Sequence, residues 1–257
     1  MSGYAGRDAV IVEAVRTPIG KGRPGGGLHQ VLPVDLLAHT LTELVHRSGV
    51  DPATVDDVIA GAVTQVGDQA VNIARNAWLA AGFPETVPAT TVDRQCGSSQ
   101  QAIAFAAQGV LAGAYDLVIA AGVESMSRVP MGSSVLAGSD PFGAVAQRYP
   151  DGLVPQGVSA ELIAARWGLS RRRLDEFSAA SHEKAAQATK EGRFGPSWPR
   201  SPGWTTTRSS VPEPPPRRWR RCGRRSTTPA TRSASRRSAG TSPRATPRRC
   251  PTAPWRC

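Results

Sequence analysis

Residues 1–194 predict an α/β layered fold with a largely buried sheet, and three observations carry that expectation. Short apolar runs alternate with stretches of helical periodicity, the pattern of strands interleaved with helices. Gly and Pro stand at the ends of the periodic stretches, where each stops a helix for its own backbone reason. The chain of 257 residues is 40% hydrophobic, close to globular usage, and long enough to bury a sizeable core as one large domain or two small ones.

Taken in order, residues 9–14 (AVIVEA) form a short apolar run ending before Thr17-Pro18 and read as a buried strand. Residues 21–27 are glycine-rich loop. Residues 33–46 place Val34, Leu37, Leu41, Leu44 and Val45 at helical spacing, with Pro33 suited to the first turn. Residues 55–63 (VDDVIAGAV) are a second strand. Residues 71–81 are a helix closed by Gly82, with Pro84 beyond the stop. Residues 90–92 form a third strand that runs straight into Asp93-Arg94-Gln95-Cys96-Gly97-Ser98-Ser99, and residues 100–113 continue as an alanine-rich helix. Residues 116–122 are a fourth strand. From 125 to 157 the pattern dissolves into Gly, Ser, Pro and Met, a loop length that is usually functional or a lid. Helices resume over 159–167 and 170–191, the second with Ser170 as N-cap and Gly192 as stop.

No run approaches about 18 apolar residues, so no membrane span is expected. The N-terminus lacks a charged leader followed by an apolar core, so secretion is not expected. Three of the four cysteines lie in the last 36 residues, which argues against a disulfide framework.

The formal charge of +11 hides a break in composition. Residues 1–194 hold 16 basic and 19 acidic side chains, a net of −3. Residues 195–257 hold 15 Arg, no Lys and one acid, Glu213, a net of +14. That segment also has 12 of the 22 prolines and four of the six tryptophans, and no Leu, Ile, Met, Phe or Tyr. Such a sequence buries too little apolar area to offset its ordering entropy and is expected to be disordered.

Three origins compete for it: an arm that binds nucleic acid or anionic lipid, a solvated linker, and a shifted reading frame in GC-rich coding DNA. Codon arithmetic tests the third. Joining the last base of each codon to the first two of the next, Trp198-Pro199 must give GCC, alanine, and Trp204-Thr205 must give GAC, aspartate. Residues 197–207 then become compatible with Leu-Ala-Pro-Val-Pro-Gly-Leu-Asp-Asp-Asp, an ordinary loop sequence. Residues 243–256 become compatible with Ala-Gly-Asn-Ser-x-x-Met-Ser-Asp-Gly-Ala-Val-Ala. The frame shift is the favoured account.

Cys96 is the chemical feature. A strand-to-helix junction gathers unpaired backbone N–H groups, and the helix dipole there favours an anion, as a nucleophilic sulfur must be. Gly97 beside it permits a substrate to approach the backbone closely, as at other strand–nucleophile–helix elbows. The competing reading is a small buried hydrophobe. The other polar candidates are weaker. His29, His39, His46 and His182 have no metal-ligand spacing and read as solvated or packed, so no metal site is expected. Arg171-Arg172-Arg173 reads as the exposed first turn of a helix. Met126 and Met131 either pad the core or line an apolar pocket.

Residues 91–101 (TVDRQCGSSQQ) followed by 120–128 (AAGVESMSR) resemble the thiolases, the acetyl-CoA acetyltransferase and 3-ketoacyl-CoA thiolase family. Residues 15–20 (VRTPIG), 72–82 (NIARNAWLAAG) and 191–194 (EGRF) fit the same family, so the resemblance covers residues 8–194. It implies the N-terminal half of a layered αβαβα fold, with an α/β core over 1–124, the start of a loop domain over 125–194, and the Arg/Pro-rich segment over 195–257. It places Cys96 on the acyl-accepting nucleophile and Met126 on the pocket-lining methionine of Glu-Ser-Met-Ser. Ser99 stands where the family often has glycine, and Gln100-Gln101 resembles the subset acting on steroid or other bulky acyl-CoAs.

The activity so implied is acyl transfer that cleaves or forms 3-ketoacyl-CoA in fatty-acid or sterol β-oxidation. Coenzyme A and acyl-CoA are substrates, no bound cofactor is expected, and cofactor-binding residues are not assigned. A cytoplasmic homodimer or tetramer is implied for the intact family member, with no membrane and no nucleic acid as partner. The sequence departs from the family where a second half-domain supplies Asn-Glu-Ala-Phe, Gly-His-Pro and Cys-x-Gly-Gly-Gly segments, none of which occurs in 195–257. The frame-shifted tail does give Ala-Gly-Asn, five residues, then Asp-Gly-Ala, a family pattern. This chain is therefore expected to be truncated and inactive. Two alternatives remain: a non-catalytic protein with a basic nucleic-acid-binding arm, and a decarboxylating β-ketoacyl synthase. The latter would not carry the Glu-Ser-Met-Ser and Arg-Thr-Pro-Ile-Gly segments.

Overall fold

Eight regular elements, identified in a computed structural model that describes residues 6–135 and 140–198, follow the expected alternation. In chain order they are α1 (Pro33–Ser48), β1 (Asp57–Gly61), α2 (Ile73–Ala80), β2 (Ala89–Val92), α3 (Ser98–Ala112), β3 (Val118–Gly122), α4 (Gln156–Arg166) and α5 (Arg171–Lys190). All described residues belong to one unit, and of the segment expected to be disordered, 195–257, the residues from 199 onward lie outside them.

The three strands form a parallel sheet in the order β2-β1-β3, with Gly61 opposite Val92 on one side and opposite Gly122 on the other. Alternation along β1 sorts the layers. Val58, Ala60 and, just past the strand, Ala62 point into a core with Leu37 and Leu41 of α1 and with Ile73, Ala77 and Trp78 of α2. Gly61, one step out of phase, faces α3. Helices thus cover both faces of the sheet, as parallel sheets require. The central strand is buried, whereas β2 and β3 keep half-open positions. The sheet is therefore less enclosed than the sequence predicts.

Three helices start or stop for a reason visible in the sequence. α1 starts on Pro33 and stops at Gly49, whose left-handed φ of 68° lets its N–H reach the Val45 carbonyl. α3 stops the same way at Gly113. α5 is capped by the Ser170 hydroxyl, which accepts from the Arg173 amide at 3.2 Å. The Trp78 indole donates to the Pro84 carbonyl at 2.8 Å, so the largest core side chain also satisfies its one donor.

Residues 9–14 correct the sequence reading. They pair with no strand among the described residues, and Val10, Ile11 and Val12 stand 76%, 83% and 66% exposed. An isolated apolar run has no hydrogen-bonded partner to hold strand geometry, and composition cannot supply one. α4 and α5 bury only Ala164 between them and leave Leu162, Ile163, Trp167 and Phe177 in the open. The start of the Arg/Pro-rich segment has some structure: residues 195–197 form a 3₁₀ turn against α1. Arg47 donates there to the carbonyls of Pro196 and Trp198. The Arg16 guanidinium lies 4.7 Å from the Phe194 ring centre, and Phe194 stacks on Trp198.

Candidate active site

Cys96 lies in the turn between β2 and α3, two residues before the helix begins, and its side chain is free and exposed. Exposure excludes the reading of a small buried hydrophobe. The turn is held from within. The Asp93 carboxylate accepts from the Gln95 amide at 2.7 Å, and the Gly97 and Ser98 amides donate to the Arg94 and Gln95 carbonyls at 3.0 Å each. The Ser98 hydroxyl accepts from the Arg94 amide at 2.9 Å and donates to the Gln95 carbonyl at 2.6 Å. Ser98 is buried, so its clamp works away from competing water. Gln95 is forced to a φ of 47°, a left-handed conformation that costs a non-glycine residue on the order of 1–3 kcal/mol and persists only where neighbours over-determine it.

The first turn of α3 sits unusually close to the sheet because two strand ends are glycine. A methyl group at Gly61 would stand 2.4 Å from the Ser98 carbonyl carbon and the Ser99 nitrogen; one at Gly122 would stand 2.7 Å from the Ser99 Cβ. No real side chain fits at either distance, so these paired glycines set how near the Cys96 turn lies to β1 and β3. Gly97 differs: its φ is −94°, and a Cβ there would make ordinary contacts with Arg94 alone, 3.4 Å from its oxygen and 3.8 Å from its Cγ. Local packing therefore does not demand glycine at 97.

β2 is delivered to this position by α2. Asn72 caps α2 by accepting from the Arg75 amide, donates to the Ala89 carbonyl at 2.9 Å, and accepts from the Thr91 hydroxyl at 2.9 Å. The Arg75 guanidinium holds the intervening loop through the carbonyls of Glu85 and Val87. On the other side of the sheet, the Asp56 carboxylate accepts from the Asp116 and Leu117 amides, which holds its pKa below the ordinary carboxylate value. Tyr115 donates to Asp57 at 2.9 Å and thereby titrates above the ordinary tyrosine value.

Met126 is 47% exposed in the loop after β3, and a Cβ on Gly22 would lie 3.6 Å from it, so the glycine-rich loop and this loop adjoin. Met131 is more exposed still. The histidines assemble no site, and no group of three metal-ligating side chains occurs among the described residues. Burial lowers the His39 pKa, against a raising influence from Glu43. Arg171 and Arg172 pair with Asp175 and Glu176 along α5, the exposed-turn reading. Among the described residues no helix is long and apolar enough to cross a membrane.

Sequence reasoning placed Cys96 and missed Ser98, Gly61, Gly122 and Asn72. The signal was weak: a serine two residues after a cysteine, and a glycine ending each of two apolar runs, occur in many loops and strands that have no catalytic role.

Comparison with known proteins bears on the whole of this region. A family profile for the thiolase N-terminal domain matches residues 9–197. The chain is 47% identical over 196 residues to the steroid 3-ketoacyl-CoA thiolase FadA6 of Mycobacterium tuberculosis, covering 73% of this chain and 47% of that protein. It is 44% identical over 188 residues to a 3-ketoacyl-CoA thiolase of Bacillus subtilis, with the same coverage. The crystal structure of the Bacillus anthracis acetyl-CoA acetyltransferase superposes with a TM-score of 0.64 at 37% identity, over 76% of this chain and 51% of that one. The chain spans about half the length of the curated relatives it matches.

Proposed function

The chain belongs to the thiolase family, and we propose that it supplies the nucleophilic half of a thiolase-type acyl transfer in which Cys96 takes the acyl group. The observation that carries this reading is an exposed thiol held in a hydrogen-bonded turn at the start of α3, beside a glycine that the local packing does not require. Gly97 leaves open the side from which a thioester would reach the sulfur.

The Cys96 thiolate attacks the keto carbon, C3, of a 3-ketoacyl-CoA. The C2–C3 bond breaks with its electron pair leaving on C2, and that carbon takes a proton to give acetyl-CoA. The shortened acyl group stays on the cysteine sulfur as a thioester. A second coenzyme A thiol gives up its proton and attacks this thioester; the bond to Cys96 breaks and the thiolate returns. Run backward, the sequence is a condensation. Coenzyme A and acyl-CoA enter as substrates, and no resident cofactor takes part. Gln100-Gln101, together with the steroid named for the FadA6 relative, favours a bulky acyl group. A homodimer or tetramer in the cytoplasm, serving fatty-acid or sterol β-oxidation, completes the reading.

The proton steps need an acid and a base. The segments to which the family resemblance assigns them do not occur in these 257 residues, so the reaction proposed for these residues by themselves is acylation of Cys96 without turnover. Incubation of the purified chain with acetyl-CoA, followed by peptide mapping, tests this. A thioester on Cys96, in excess of any on Cys222, Cys250 or Cys257 and abolished by Cys96→Ala, is the expected result. Absence of the Cys96 adduct overturns the nucleophile assignment. Sustained cleavage of acetoacetyl-CoA by the chain overturns the absence of turnover.

A further inference from the structure

We propose that Gln69 is a positioning residue for acyl transfer to Cys96, acting through Glu124 and Ser125 on the strand ends that seat the Cys96 turn. This rests on the acyl-transfer reading above.

Gln69 ends a 3₁₀ turn, Gly67–Gln69, and is fully buried at 0% exposure. Both ends of its carboxamide are engaged. The amide nitrogen donates to the Thr64 carbonyl and to the Glu124 carboxylate, both at 2.9 Å, and the oxygen accepts from the Ser125 amide at 2.6 Å. Glu124 in turn accepts from the Val63 amide at 2.7 Å and the Thr64 amide at 3.4 Å. These partners come from two places only. Val63 and Thr64 follow the end of β1, and Glu124 and Ser125 follow the end of β3.

The strand ends so joined are Gly61 and Gly122, the two glycines on which the first turn of α3 rests. The Val123 amide donates to the Gly61 carbonyl at 3.0 Å, extending the same seam. The residue after Ser125 is Met126. One buried carboxamide therefore governs both the spacing of the seat beneath Cys96 and the path of the loop that carries Met126. An apolar side chain of similar volume would fill the space and leave Glu124 and the Ser125 amide short of a partner. Filling the core does not explain glutamine here; holding these two loops in register does.

The Gln69→Glu variant separates positioning from mere support. It replaces the donating nitrogen with an oxygen that faces Glu124. Two carboxyls at hydrogen-bond distance share one proton at low pH and repel when both ionise. Protonated, the new carboxyl has one hydrogen and donates it to Glu124, while the bond from this position to the Thr64 carbonyl is lost at every pH. The other charged groups on these loops are Asp68 and Arg128, paired with each other at 2.7 Å. α1, packed on the same turn, carries Asp35, His39, Glu43, His46 and Arg47. They are common to all the chains compared and cancel in a ratio to wild type.

The test measures two rates at Cys96 in the 257-residue chain by peptide mapping from about pH 5 to 8: acylation by acetyl-CoA and alkylation by iodoacetamide. For Gln69→Leu we expect acylation to fall about tenfold or more at every pH while alkylation stays within about twofold of wild type. For Gln69→Glu the acylation ratio to wild type should be highest at the acid end, below one because the Thr64 bond is lost, and fall about tenfold further toward pH 8. Wild-type acylation in both variants overturns the proposal alone. So does a parallel loss of acylation and alkylation, or a Gln69→Glu ratio that does not depend on pH, since either marks plain structural support. A wild-type chain that takes no acyl group on Cys96 overturns the acyl-transfer reading, and this proposal with it.

Discussion

At Gly61 a methyl group would stand 2.4 Å from the backbone of α3, whereas at Gly97 it would come no nearer than 3.4 Å to its closest contact, the Arg94 oxygen. The two glycines neighbour the same thiol for different reasons. Gly61→Ala forces the first turn of α3 away from the sheet, an overpacking expected to cost about 1–3 kcal/mol and to lower the melting temperature. Gly97→Ala replaces an N-cap glycine that is under no steric pressure and should cost about 1 kcal/mol or less. Its effect should fall on chemistry: about a tenfold loss of Cys96 acylation with the thermal transition nearly unmoved. A Gly97→Ala chain acylated at the wild-type rate would show that substrate access does not require glycine there. Cys96 was legible in the sequence because a thiol after a strand and before a helix is a chemical pattern. Ser98 and Gln69 were not, because a buried hydroxyl or amide gains its meaning from partners that only the folded backbone brings to it, such as Ser125 for Gln69.

α1 shows how much of an element its own periodicity dictates. The spacing of Leu37 and Leu41 foretold the buried face, and Pro33 and Gly49 set the ends. His39 on this helix carries a consequence that spacing does not reveal. Burial depresses its pKa, so the unfolded chain takes up a proton at a higher pH than the folded one. Between those two values the unfolded state holds more protons, and stability falls as the pH falls. Melting curves from about pH 7.5 to 5 should show a shallower acid decline for His39→Gln than for wild type; equal slopes would show that His39 is not the group responsible. Residues 9–14 are the opposite case. Their composition suits a strand, yet pairing is decided by a neighbouring edge, and among the described residues that run has none.

Across the whole molecule the charge of +11 divides into a nearly neutral −3 over residues 1–194 and +14 beyond. The match to the thiolase N-terminal domain stops at residue 197, where the composition changes. We propose that a frame change near codons 194–197 underlies both. Resequencing codons 190–257 is then expected to find one inserted or deleted base that restores an open thiolase frame. An intact reading frame would instead favour a basic arm, which predicts salt-sensitive retention on DNA that is lost when residues 199–257 are deleted. Sequence alone determined the order of elements, most helix ends and the place of Cys96 at a strand-to-helix junction, because periodicity, Gly and Pro stops and a thiol at a junction are local properties of the chain. The strand order β2-β1-β3, the failure of residues 9–14 to pair, the seat that Gly61 and Gly122 make for α3, and the carboxamide of Gln69 joining two strand ends were decided only by the tertiary structure. Each depends on which distant backbone groups meet, and a hydrogen bond or a close approach across the chain leaves no periodic trace in it.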